Sequence, residues 1–229
     1  MTTISANLQA VLARIRSAAQ DCGRSPDEVR LLAVSKTWPA AFVREAAAAG
    51  QNAFGENYVQ EGANKIIEVG LPDLEWHFIG PLQSNKTRLI AETFHWVHSI
   101  DRFKIAERLS QQRPDTLPPL QVCLQINISG EGTKSGASPA EALTLASRIT
   151  CLPHLKLRGL MAIPEATNDY AQQRNSFRKL RELLEYFNNN GLALDTLSMG
   201  MSNDLEAAIA EGATLVRVGT ALFGERHTS

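Results

Sequence analysis

Short apolar runs separated by amphipathic stretches recur along the whole chain. Ile4, Leu8, Val11, Leu12 and Ile15 repeat at helical spacing, which predicts an opening helix that ends near Cys22 and Gly23. Ser25, Pro26 and Glu28 then supply an N-cap, a first-turn proline and a capping acid for a short turn. Leu31-Leu32-Ala33-Val34 follows, a brief apolar run of the kind that a parallel strand covered on both faces requires. Further strand candidates are Ala53-Phe54, Trp76 to Ile79, Trp96 to His98, Leu120 to Ile126, Leu155 to Leu157, Thr196-Leu197 and Leu215 to Val218. Helical stretches lie between them at 40–49, 59–69, 84–92, 102–112, 139–150, 174–188 and 204–211. Ser138, Pro139 and Glu141 form a second capping box, and Phe177, Leu180, Leu183, Leu184 and Phe187 mark a stripe that faces a core.

Strict alternation of strand and helix predicts an α/β fold with a parallel sheet. Eight such units after an extra N-terminal helix fit a single closed (β/α)8 barrel of about 250 residues; an open doubly wound sheet is the runner-up. No internal repeat, low-complexity tract or long linker divides residues 1–229, so one domain is expected.

Composition narrows the function. Apolar residues make up 44% and charged residues 21%, ordinary values for a globular chain. Lys and Arg total 23 against 24 for Asp and Glu, so no bulk field draws the protein to nucleic acid or an anionic membrane. The first twenty residues lack a hydrophobic signal core and a spanning segment, which predicts a mature cytoplasmic protein. Cys22, Cys123 and Cys151 are too widely spaced for a zinc ligand set and read as reduced structural residues. His95 and His98 fall on opposite faces of one strand, and no metal is expected. Arg174, Arg178, Lys179 and Arg181 read as a solvated helix face.

In a barrel of this kind, residues at the C-terminal ends of the strands and in the loops after them share one face. Lys36 follows the first strand, Glu56 and Asn57 the second, Gly80 the third, Ser99 and Asp101 the fourth, Asn127 and Lys134 the fifth, and Met161 the sixth. A lysine at a buried strand end loses hydration, which leaves more neutral amine to attack an aldehyde. A surface lysine is the alternative. Met199-Gly200-Met201-Ser202-Asn203-Asp204 and Gly219-Thr220-Ala221 follow strands seven and eight, the two loops where barrels commonly bind phosphate. Arg217 alternates with apolar neighbours and is predicted to point into the barrel, where it needs either a barrel carboxylate or a ligand nitrogen. An aldehyde-reactive amine, a phosphate site and a donor to a ring nitrogen together describe pyridoxal 5'-phosphate (PLP).

Ala33-Val34-Ser35-Lys36, Phe54-Gly55-Glu56-Asn57-Tyr58, Trp76 to Lys86, Val97 to Asp101, Lys134-Ser135-Gly136, Arg158 to Met161, Ser198 to Ser202 and Val216 to Thr220 closely resemble the pyridoxal-phosphate homeostasis protein family. The resemblance implies a barrel related to the N-terminal domain of alanine racemase, fold type III of the PLP proteins. It implies that Lys36 carries the cofactor as a Schiff base, that Arg217 faces the pyridine nitrogen, and that Ser202, Gly219 and Thr220 hold the phosphate. Met201 is expected to contribute through its backbone, and Asn57, His77 and Met161 to line the ring and aldehyde side.

An arginine partner leaves the ring nitrogen unprotonated and weakens the electron sink that amino-acid chemistry needs. Related racemases take a second base, a tyrosine, from a further domain that this sequence lacks. Tyr58 is the nearest substitute among the three tyrosines. The expectation is therefore a monomeric PLP carrier without catalytic turnover, affecting amino-acid and keto-acid balance and supplying PLP-dependent apo-enzymes. A weak racemase or another PLP enzyme, and a cofactor-free lysine aldolase, are the alternatives. Lys134 is a candidate second amine.

Overall fold

The computed structural model describes residues 3–129 and 135–225. Lys134 lies outside them. Helix α1 (Ile4–Asp21) is capped by Thr3, whose side chain accepts the Ala6 amide. A short 3-10 turn, Pro26–Glu28, follows, with the Ser25 amide donating to the Glu28 carboxylate.

The remaining elements alternate as expected. They are β1 (Arg30–Val34), α2 (Ala40–Ala48), β2 (Ala53–Glu56), α3 (Val59–Val69), β3 (Glu75–Phe78), α4 (Thr87–Thr93), β4 (Trp96–Ile100), α5 (Phe103–Gln112) and β5 (Leu120–Gln125), then α6 (Pro139–Thr150), β6 (Leu155–Met161), α7 (Tyr170–Asn189), β7 (Thr196–Ser198), α8 (Leu205–Ala210), β8 (Leu215–Val218) and α9 (Thr220–Phe223). All eight strands are parallel, each pairs with the next, and β8 closes on β1 with Arg30 opposite Leu215 and Ala33 opposite Val218. The closed barrel excludes the open doubly wound sheet.

Strand periodicity explains which residues face where. Leu31, Ala33, Phe54, Trp76, Phe78, Val97, Val122, Leu124, Leu197, Val216 and Val218 join one large core cluster with the helices, so these positions point outward under the helical layer. Their neighbours point into the barrel, where Leu32, Ala53 and Leu215 pack with Ile79, and Trp96 packs with Cys123 and Met161. Two opposed faces per strand, both covered, are what a parallel barrel demands.

Several boundaries differ from the sequence reading. Strand β6 runs to Met161 rather than ending at Leu157; Arg158 and Gly159 interrupt the apolar pattern, yet a Cβ at Gly159 would lie 1.8 Å from the Thr196 carbonyl oxygen, so close strand contact requires the glycine. Helix α7 begins at Tyr170, because Asp169 accepts the Ala171 and Gln172 amides. Its basic face is not simply solvated: Arg174 and Arg178 pair with Glu211 Oε1 at 2.7 and 3.2 Å, and Arg181 reaches Oε2 at 3.6 Å.

Helix α1 packs along α2, α8 and α9. Arg14 on that helix pairs with Glu206 at 2.8 Å and donates to the Ser202 carbonyl at 3.1 Å. The extra N-terminal helix thus supports the loop after β7.

Candidate functional site

A cavity of about 860 Å³ opens at the C-terminal ends of the strands. Lys36, Asn57, Met161, Met201, Ser202, Arg217, Gly219 and Thr220 all line it. Five different strand ends with their loops therefore converge on one volume, as the barrel geometry predicts. His77 does not line it: the residue is fully buried below the cavity, where its neighbours are Glu75, His98 and Trp96. It sits one residue before the end of β3, and inward-pointing side chains at that level fill the barrel rather than its mouth.

The backbone at Lys36 is fixed from below. Ser35 is buried and its hydroxyl donates to Glu56 Oε1 at 2.7 Å. Lys65, also buried, donates to that oxygen at 2.7 Å, to the Ser35 carbonyl at 2.7 Å and to Glu61 Oε1 at 2.9 Å. Glu61 Oε1 in turn accepts the Thr37 amide at 2.5 Å. Thr37 takes φ of +67°, a conformation that a β-branched residue adopts only when its surroundings impose it. The lysine of α3 and its two carboxylates thus hold the sharp turn that follows Lys36. Burial raises the Glu56 carboxyl pKa, opposed by the Lys65 charge.

Asn57 presents to this cavity a carboxamide whose Oδ1 is buried and accepts no hydrogen bond among the described residues. Buried polar atoms are normally satisfied, so the atom is suited to a ligand donor. Gly219 caps α9, and a Cβ there would stand 3.2 Å from the Val34 carbonyl oxygen. Thr220 opens that helix, and Ser202, in the loop after the neighbouring strand β7, lines the same cavity. The Met201 amide, expected to serve the ligand, instead donates to Asp204 Oδ1 at 2.5 Å. Burial raises the Asp204 carboxyl pKa, opposed by the Met201 hydrogen bond and by Arg217.

Arg217 is nearly fully buried. Neither sequence alternative describes its protein partners: Nη1 donates to the Ser198 carbonyl at 2.6 Å and to Ser198 Oγ at 2.9 Å, while Nη2 donates to the Ala162 carbonyl at 2.9 Å. Burial lowers its pKa to about 10, partly offset by the Asp204 charge; the guanidinium therefore stays charged at neutral pH. Ser198 Oγ also lies 2.8 Å from His98 Nδ1, and His98 Nε2 lies 2.8 Å from His77 Nδ1. Strands β4 and β7 are not neighbours in the sheet, so this contact crosses the barrel interior. His98, set aside in the sequence together with a metal site, thus takes part in a buried hydrogen-bond network.

Known proteins resemble this chain in sequence and fold. The alanine racemase N-terminal domain model matches residues 6–227. A Pseudomonas aeruginosa protein named pyridoxal phosphate homeostasis protein is 63% identical over 99% of this chain and 97% of its own. This chain belongs to the pyridoxal phosphate homeostasis protein family. Within the family, PipY of Synechococcus elongatus has been solved with PLP bound; it is 41% identical, with a TM-score of 0.81 over 92% of this chain and 100% of PipY. Alanine racemase of Corynebacterium glutamicum shares the fold at 18% identity, with a TM-score of 0.72 over 96% of this chain and 62% of the racemase. Among the described residues no helix is long and apolar enough to cross a membrane.

Proposed function

We propose that this member of the homeostasis family is a cytoplasmic, monomeric PLP carrier, which holds the cofactor covalently through Lys36, buffers the free aldehyde and supplies it to apo-enzymes. One observation carries the reading: Lys36, Asn57, Ser202, Arg217, Gly219 and Thr220 meet around one cavity. Residues 1–229 act here as a single binding domain.

The chain's groups fit the cofactor. Lys36 supplies the amine for the aldehyde, and Asn57, which lines the same cavity, has a buried acceptor in its Oδ1. Ser202, Thr220 and the Gly219 backbone offer phosphate-type contacts in the two loops where barrels favour them. Arg217 faces the ring nitrogen as a donor that has no proton to give up at neutral pH. Bound PLP supplies an aldehyde for amines and, when its ring nitrogen is protonated, a sink for carbanion charge.

The same residues support storage over turnover. A charged guanidinium opposes protonation of the ring nitrogen, so the sink stays weak. Racemisation also needs an acid-base group on each face of the substrate carbon. Tyr58, Tyr170 and Tyr186 are each about half exposed and none lines the cavity, which supports storage over racemisation with Tyr58 as a second base.

The test is transfer. Protein loaded with PLP is mixed with a PLP-dependent apo-enzyme in the presence of a trap for free aldehyde, and enzyme activity is followed. Reactivation despite the trap is expected. Failure to reactivate, or amino-acid α-proton exchange into deuterated water that Lys36→Ala abolishes, would replace the carrier with an enzyme or with a passive binder.

A further inference from the structure

Among the described residues Arg217 donates to no carboxylate, yet one reaches it through a chain of hydrogen bonds. Glu75 stands at the start of β3, with its side chain one-third exposed, and accepts Arg30 Nη2 at 2.7 Å. The same Oε1 lies 2.7 Å from His77 Nε2. From there the contacts run His77 Nδ1 to His98 Nε2, His98 Nδ1 to Ser198 Oγ, and Ser198 Oγ to Arg217 Nη1, at 2.8, 2.8 and 2.9 Å. His77, His98 and Ser198 are completely buried. The path enters at the N-terminal end of the barrel and ends at the cavity.

Only one arrangement of protons satisfies every member. Glu75 is ionised and can only accept, so His77 carries its proton on Nε2. A neutral His77 then has a bare Nδ1, which requires His98 to donate from Nε2. His98 is left with a bare Nδ1, which takes the Ser198 hydroxyl proton. The Ser198 oxygen is finally free to accept from Arg217, which can only donate. Burial, the largest influence on both imidazoles, lowers their pKa values despite the Glu75 contact to His77, and keeps them neutral.

We propose that Glu75, His77, His98 and Ser198 form a hydrogen-bond relay of single polarity that conveys the Glu75 charge through the barrel to Arg217 and fixes the guanidinium at the cavity floor. Every donor points toward Glu75. Each bond therefore polarises the next in the same sense, and the Ser198 oxygen becomes a stronger acceptor than a lone hydroxyl. Glu75, His77, His98 and Ser198 are positioning residues: the structure places none of their side-chain contacts with the cavity except through Arg217. The consequence for the cofactor rests on the reading of Arg217 as the ring-nitrogen partner; the relay itself does not.

The experiment separates the two. In ligand-free protein at pH 7, two-bond nitrogen–proton NMR spectra report the tautomer of each histidine. Both His77 and His98 are expected as neutral Nε2–H forms; an Nδ1–H form or an imidazolium at either would overturn the relay. Glu75→Gln keeps an acceptor but removes the charge, and is expected to shift the ring-nitrogen signals of His98 as well as His77. A change confined to His77 would also overturn it. PLP binding to Glu75→Gln is expected to weaken about tenfold, the effect of loosening one hydrogen bond to a charged group; unchanged affinity would contradict the positioning role. If the wild type bound no PLP, the ligand-free spectra would still decide the relay, and only the carrier reading would fall.

Discussion

Lys65 Nζ lies 2.7 Å from Glu56 Oε1, and both side chains are buried directly beneath the strand end that presents Lys36. Removing one partner of such a pair leaves an uncompensated buried charge. Lys65→Ala is therefore expected to destabilise the fold by about 3–5 kcal/mol, measured by urea unfolding. Because Lys65 also binds the Ser35 carbonyl and Glu61, the variant should lose PLP affinity even under conditions where it remains folded. A loss below about 1 kcal/mol would mean that water satisfies the pair.

Burial holds the His98 pKa well below its ordinary 6.5. The sign follows from linkage: the unfolded chain takes up a proton at His98 below about pH 6.5 and the folded chain does not, so stability falls as pH falls through that value. His98→Gln removes this uptake. Unfolding free energies measured between pH 7.5 and pH 5.5 should show about one fewer proton bound on unfolding in the variant. Equal slopes would show that His98 titrates in the folded barrel.

Gly80 follows β3, and a Cβ placed on it would lie 2.0 Å from the Asn57 carbonyl oxygen. Backbone on both sides leaves no flexible group to yield. Gly80→Ala is expected to cost at least ~1–3 kcal/mol, the range for overpacking, and to displace Asn57 from the cavity. PLP titration and thermal unfolding of the variant check both effects; wild-type behaviour in each would place the strain elsewhere.

The fold was legible because the strands are short, largely apolar runs separated by amphipathic helices, and parallel barrels leave few other ways to bury them. That Lys36, Ser202, Arg217, Gly219 and Thr220 gather on one face was legible from their positions, since strand ends and the last two loops converge, but position alone left a surface role open for Lys36 and a choice of partners for Arg217. His77 was misplaced because a sequence shows that an alternate residue points inward but not how deep it sits. His98 and Ser198 were missed for a related reason: their contact joins β4 to β7 across the interior, 100 positions apart, and no local spacing encodes it. Lys65 lies in the helical stretch 59–69, where nothing in the local pattern marks it as buried. Its burial follows only from the carboxylates that β2 and its own helix bring to it.

The central claim is that Lys36 is the amine that tethers the cofactor. The direct measurement is borohydride reduction of the protein after loading with PLP, followed by peptide mapping of the fixed label. The account predicts one labelled peptide, containing Lys36, and loss of the visible band and of that label in Lys36→Ala. Lys134 would appear only as a minor product during release. A dominant label on Lys134 or another lysine in the wild type, or no label at all, would contradict it.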